Sequence, residues 1–86
     1  MTHQIIIARS AQRDMAGLHP DVRAAVDKRI LALSENPRPR GAIPLKGKRR
    51  GYLRVRAGQH RIIYAVDDAA RSVVVVDVGP RGSVYT

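Results

Sequence analysis

Three arginines near the middle of the chain, Arg54, Arg56 and Arg61, have a spacing that places them on one side of a β-hairpin. Apolar and polar residues alternate from Tyr52 to Arg56, which is the period of a half-buried strand. The Gly58-Gln59 pair predicts a two-residue type II′ turn, because glycine adopts a positive φ without steric cost. Guanidinium groups bind planar oxyanions through paired hydrogen bonds, so this arrangement favours binding of a phosphate group.

The predicted turn also determines which residues face each other across the hairpin. It places Arg56 opposite Arg61, and Arg54 opposite Ile63, so the three arginines share what we call the arginine face. Like charges directly opposite each other destabilise a sheet, and a bound anion would relieve that repulsion. The alternative is a solvated basic face whose side chains turn apart. The opposite face carries the expected core residues, which are Leu53, Val55, Ile62, Tyr64 and Val66, with Val74, Val76 and Val78 from a later strand.

Length and composition restrict the classes of function. We expect one domain over residues 1–86, since this length supports a single core. The chain has no cysteine, which excludes disulfides and thiol catalysis. The three histidines lack metal-ligand spacing, and we expect no cofactor. No apolar run approaches the roughly twenty residues of a membrane span. We therefore expect a cytoplasmic protein without a membrane partner.

The net charge of +9 is concentrated in one part of the chain. No Asp or Glu lies between Asn36 and Val66, although nine arginines and lysines do. Such a surface favours nucleic acid or an acidic protein as the partner. The densest cluster, which we consider a candidate RNA-binding segment or equally a solvated loop, comprises Lys46, Lys48, Arg49 and Arg50.

Helices and strands around the hairpin must hold these arginines in place. Gln4 to Ala8 reads as a strand, and a short helix capped by Ser10 follows it. A second helix begins at Pro20, a residue that the first helical turn tolerates, and ends before Asn36. Arg71 to Val78 reads as a strand next to the hairpin. The predicted order is β-α-α-β-β-β, an α+β fold with an antiparallel sheet and a helical hairpin on one face.

Two segments resemble the motifs of RelE/ParE-superfamily toxins of type II toxin–antitoxin systems. Gly51 to Tyr64 is similar to their central signature, and Val78 to Tyr85 is similar to their closing motif. The resemblance covers nearly the whole chain and implies a RelE-like toxin domain over residues 1–86. It also implies a cognate acidic antitoxin that forms a hetero-oligomer with the toxin. In that complex, only the antitoxin contacts operator DNA. In the RelE branch it implies a metal-independent endoribonuclease that cuts mRNA on the ribosome, inhibits translation and arrests growth.

The resemblance also implies roles for individual residues. Arg54 and Arg56 match a pair of basic residues that is lysine in the best-known RelE-type enzymes. Arg61 and Arg81 match arginines expected to neutralise the scissile phosphate, and Tyr85 resembles a C-terminal catalytic tyrosine. We expect the four arginines to be partly exposed on one face of the sheet, so that replacing Arg61 or Arg81 leaves the fold intact.

The sequence departs from the pattern of the family at two further positions. Pro80 stands where many relatives have a histidine, and His60 stands where many have an aromatic residue. His60 is a weaker candidate for a proton carrier, because its strand position places it on the side of the core. Two alternatives to the nuclease stay open, namely a ParE-type toxin that poisons DNA gyrase by protein binding, and a basic module that binds nucleic acid without catalysis.

Overall fold

A computed structural model describes residues 2–80, which form a five-stranded sheet with two helices on one face. The strand order is β1-β5-β4-β3-β2. The elements are β1 (Gln4–Ile7), α1 (Arg9–Ala16), α2 (Pro20–Glu35), β2 (Ile43–Pro44), a 3₁₀ helix (Gly47–Arg49), β3 (Leu53–Ala57), β4 (His60–Asp67) and β5 (Ser72–Pro80).

The predicted α+β class is confirmed, and two details of the sheet differ from the prediction. β1 lies parallel to β5, because α1 and α2 carry the chain across the sheet before the hairpin begins. β2 adds an edge strand of two residues beside β3, which is too short to leave an alternating pattern in the sequence.

The second helix begins and ends where the sequence predicts. Pro20 is its first residue, and the side chain of His19 caps it by accepting a hydrogen bond from the backbone N–H of Asp21 at 3.2 Å. Its buried stripe, Val26, Ile30 and Leu33, packs toward the sheet. Within the described part of the chain, no helix combines the length and the apolar character needed to cross a membrane.

The core lies between the helices and one face of the sheet. Three hairpin residues predicted to be buried there, Val55, Ile62 and Tyr64, are at most 1% exposed. Leu53 and Val66 are partly buried and pack against the same cluster. The core face predicted for the hairpin is therefore confirmed.

The core face predicted for β5 is wrong in its first half. Val78 is buried as expected, but Val74 and Val76 are only partly buried. Val73 and Val75 take their places in the core and are fully buried. The alternation of faces along β5 is therefore interrupted between Val75 and Val78.

A β-bulge in β5 causes this change of face. Ile63 is paired with Asp77, but the next residue of β4, Tyr64, is paired with Val75. Val76 is the extra residue, and one extra residue reverses the direction of every side chain that follows. Because of the bulge, Asp77 lies on the arginine face instead of in the core.

Side chains of α1 hold the bulge from the other side of the sheet. The hydroxyl of Ser10 donates to the carbonyl of Val76 at 2.7 Å, and a carboxylate oxygen of Asp14 accepts from the backbone N–H of Val78 at 3.1 Å. Ser10 is therefore not the helix cap that the sequence predicts, because α1 begins at Arg9 with Ala8 as its cap. These bonds satisfy backbone groups beside the bulge.

The buried Tyr64 links the sheet to the loop after α2. Its hydroxyl donates a hydrogen bond to the carbonyl of Pro37 at 2.6 Å. Next in sequence, Arg38 forms a two-pronged ion pair with Asp68 at 3.0 and 3.1 Å. Burial raises the pKa of the Tyr64 hydroxyl above its ordinary value.

We expect Tyr64→Phe to lower the free energy of unfolding by about 1 kcal/mol, because the carbonyl of Pro37 loses its donor. Because burial raises the pKa of Tyr64, the unfolded state loses the hydroxyl proton at a lower pH than the native state does. The stabilisation by the Tyr64 hydroxyl is therefore complete below the ordinary tyrosine pKa of about 10 and is lost as pH rises beyond it. Urea unfolding on both sides of that pH measures both effects. A matched Tyr52→Phe variant is the control, and an identical pH dependence in wild type and Tyr64→Phe would contradict the prediction.

Candidate active site on the arginine face

The hairpin has the register that its turn predicts. Arg56 pairs with Arg61, and Arg54 pairs with Ile63, which confirms that the three arginines share one face. Gly58 has a φ of +62°, and Gln59 is not among the residues with positive φ, which is the signature of a type II′ turn. The arginine face is the side of the sheet opposite the helices.

Arg61 is not partly exposed as the sequence predicts, because its side chain is only 1% accessible. One terminal nitrogen donates to the carbonyl of Pro80, and the other lies 3.4 Å from a carboxylate oxygen of Asp77. The guanidinium lies against Gly79, the residue opposite Arg61 on β5, where a Cβ atom would stand 3.2 Å from both terminal nitrogens. Arg61 is buried because β5 offers it a carboxylate and a residue without a side chain.

Asp77 connects the sheet to the basic loop. Its second oxygen accepts a hydrogen bond from Arg49, at the end of the 3₁₀ helix, at 3.3 Å. Asp77 is 15% exposed, and it lies between the guanidinium groups of Arg49 and Arg61. The loop therefore folds toward the arginine face. The only sequence signal for this residue is its position as a lone carboxylate in a strand of valines.

The remaining members of the basic cluster are exposed. Lys46, Lys48 and Arg50 lie in or beside the 3₁₀ helix, with their side chains in solvent. Arg49 forms an ion pair with Asp77, whereas the side chains of the other three are free to contact a binding partner in solution.

Arg54 and Arg56 differ from Arg61 in having no partner among the residues that the structure describes. Arg56 is exposed and Arg54 is half-buried. Neither forms a hydrogen bond or an ion pair with another residue in the range 2–80. Their guanidinium groups therefore have their full donor capacity for a ligand.

Two predicted site residues, Arg81 and Tyr85, lie outside the described residues. His60 lies at the hairpin turn, where it lines a pocket with Asp21 and Val22 of α2, on the side away from the arginines. Among residues 2–80, no group of three or more His, Cys, Asp or Glu side chains is placed to hold a metal ion. The described site therefore has the guanidinium groups of Arg54, Arg56 and Arg61 on one face, with the carboxylate of Asp77 between Arg61 and Arg49.

The chain is similar to known toxins along nearly its whole length. Residues 5–85 match the family model of the ParE toxin of the type II toxin–antitoxin system parDE. Toxin RelG of Mycobacterium tuberculosis is 31% identical over 86 residues, a match that covers 99% of this chain and 98% of RelG.

Solved structures agree with this relationship. The RelBE2 toxin–antitoxin complex of M. tuberculosis contains a chain with a TM-score of 0.86 and 30% identity, over 96% of this chain and 95% of that one. The archaeal RelE–RelB complex of Pyrococcus horikoshii gives a TM-score of 0.81 and 25% identity, over 95% and 98% of the two chains. The chain belongs to the RelE/ParE superfamily of toxins of type II toxin–antitoxin systems.

Proposed function

We propose that this protein is a ribosome-dependent endoribonuclease that cuts mRNA in the cytoplasm and inhibits translation. The observation that supports this most is the shared face of Arg54, Arg56 and Arg61, in the register of a tight hairpin. Two curated relatives from M. tuberculosis, toxins RelG and RelE, are similar over nearly the whole chain. Three positive groups on one face of the sheet, of which Arg54 and Arg56 reach solvent, suit a phosphodiester that gains negative charge during cleavage.

The proposed reaction is attack of a ribose 2′-hydroxyl on the adjacent phosphorus. A bond forms between the 2′-oxygen and phosphorus, and the bond from phosphorus to the 5′-oxygen breaks, which leaves a 2′,3′-cyclic phosphate. The proton of the 2′-hydroxyl leaves, and the departing 5′-oxygen gains one. The arginines stabilise the extra charge at phosphorus, because they stay protonated through the reaction and do not need a metal ion for this role.

Each arginine has its own part in this proposal. Arg61 and Arg81 neutralise the scissile phosphate, and Arg54 and Arg56 orient the RNA backbone. Tyr85 stacks on or orients the nucleotide next to the cleaved bond. Because Arg61 is only 1% accessible, the proposal requires its guanidinium to turn away from Asp77, a contact of 3.4 Å, and from the carbonyl of Pro80 before it meets a phosphate.

The proposed partner in the resting cell is a cognate acidic antitoxin. The solved relatives from M. tuberculosis and P. horikoshii are complexes of a toxin with an antitoxin. The +9 charge favours an acidic partner, which in this proposal covers the arginine face. Contact with operator DNA is made by the antitoxin and not by the toxin.

A ParE-type toxin that poisons DNA gyrase is the second candidate function. It is favoured by the match of residues 5–85 to the family model of ParE toxins. A protein of this type binds its target and cuts nothing. Since both types share one fold, the fold does not discriminate between them.

One experiment distinguishes the two functions. The purified protein is incubated with programmed ribosomes carrying a labelled mRNA, and separately with gyrase and supercoiled DNA. The proposal expects cleavage of the mRNA in the ribosome sample, with EDTA-treated protein as active as untreated protein. Intact mRNA together with inhibited supercoiling would overturn the proposal and establish the gyrase-directed function.

A further inference from the structure

A pocket at the edge of the sheet brings an arginine of α2 to the two unpaired arginines of β3. It has a volume of about 280 Å³ and is lined by Arg29, Gly41, Ile43, Arg54 and Arg56. We propose that this pocket binds a backbone phosphate of single-stranded RNA next to the cleaved linkage, with Arg29 as an additional RNA-binding residue. This inference rests on the proposed nuclease function and assigns the site a second phosphate position.

Among the described residues, the three arginines of the pocket lack the carboxylate partners that other arginines have. Arg23 pairs with Asp27, and Arg38 pairs with Asp68. No described residue forms a hydrogen bond or an ion pair with Arg29, Arg54 or Arg56. All seven Asp and Glu side chains lie within residues 2–80 and make their contacts elsewhere; they are Asp14, Asp21, Asp27, Glu35, Asp67, Asp68 and Asp77.

The Nε atom of Arg29 adds a second observation. It is buried and has no hydrogen-bond partner among the described residues, although a buried donor of this kind normally has one. Three positive groups around one pocket also repel each other, and an anion removes that cost. Both features indicate a site that is completed by an external anion.

The position of the pocket favours RNA over an acidic protein as the source of that anion. Arg54 and Arg56 belong to the pocket and also to the arginine face, so the positive surface continues from one to the other. A nucleic-acid backbone presents phosphates at regular intervals along such a path. A cavity of about 10–15 Å³ holds one water molecule, so a pocket of about 280 Å³ has room for a phosphate with its sugar.

The test uses an oligonucleotide that cannot be cleaved. Wild-type protein, Arg29→Gln and the control Lys28→Gln are titrated with a short 2′-O-methyl RNA over a range of salt concentrations. Lys28 is the exposed neighbour of Arg29 on α2 and does not line this pocket, so its substitution removes the same charge outside the site. We expect Arg29→Gln to weaken binding about tenfold and to reduce the salt slope by about 0.7, the value for one phosphate of a single strand.

Several results would overturn the inference. The first is an affinity and a salt slope in Arg29→Gln equal to those in Lys28→Gln, and the second is a wild type that does not bind the oligonucleotide. The third is a parallel titration with an acidic peptide in which Arg29→Gln weakens binding although it does not weaken RNA binding. The Nε–H resonance of Arg29 in wild-type protein gives a readout without any variant, and we expect it to shift when the RNA binds. Since the oligonucleotide is inert, a failure of this site and a failure of mRNA cleavage are seen in different experiments.

Discussion

Arg61→Ala is expected to lose mRNA cleavage by roughly 100-fold or more, as when one donor to a developing oxyanion is removed. It is also expected to lower the free energy of unfolding by about 2 kcal/mol, which is typical of lost hydrogen bonds to charged groups. The second effect follows from burial, because Arg61 bonds to Asp77 and to the carbonyl of Pro80. Cleavage on programmed ribosomes and thermal melting measure the two effects separately.

A conservative variant separates catalysis from folding at this position. Arg61→Lys keeps the positive charge near Asp77 but loses the second prong of the guanidinium. We expect it to melt closer to wild type than Arg61→Ala does, and still to cut mRNA much more slowly than wild type. Arg13→Ala, an exposed position on α1, is the control and should keep both properties. Full cleavage activity in Arg61→Ala would remove this residue from the proposed mechanism.

Arg54→Ala and Arg56→Ala are expected to lose cleavage by a comparable factor, roughly 100-fold each, without loss of stability. Neither side chain has a protein partner in the described residues, so its removal leaves no group unsatisfied. Arg56→Ala also relieves the repulsion from Arg61 directly opposite it, so we expect its melting temperature to equal or exceed that of wild type.

The predicted difference in stability between Arg61→Ala and the variants Arg54→Ala and Arg56→Ala tests the described arrangement of the site. Single-turnover cleavage of ribosome-bound mRNA and thermal melts are measured for all variants on the same preparation. A melting temperature that falls as far in Arg56→Ala as in Arg61→Ala would contradict the arrangement described here. Wild-type cleavage in the double variant Arg54→Ala/Arg56→Ala would exclude the arginine face as the site of RNA cleavage.

The hairpin was predictable because a local signal determines its register. Gly58 permits the positive φ of a type II′ turn, and a two-residue turn then fixes each pair across the strands. The apolar and polar residues of β3 alternate in agreement with that register. The arginine face therefore follows from the sequence alone, down to the pairing of Arg56 with Arg61.

The surroundings of the arginine face were not predictable in the same way. Alternation shows which face a side chain takes, but not what covers it, so the burial of Arg61 by residues of β5 left no local signal. Val73 to Val76 are all valine, and a uniform run does not show where a bulge interrupts the alternation. The pairing of Arg49 with Asp77 joins residues 28 positions apart. Arg29 joins the pocket only because α2 packs beside the sheet edge.

The bulge at Val76 makes the orientation of the site depend on residues on the far side of the sheet. If the residues of β5 after the bulge shifted by one position along β4, the bulge would disappear. Asp77 would then face the helices, and Val78 would lie opposite Arg61. Ser10 and Asp14 hold the backbone on both sides of Asp77 and so oppose this slip. We therefore expect substitutions of Ser10 or Asp14 in α1 to weaken the proposed cleavage while every arginine of the site is retained.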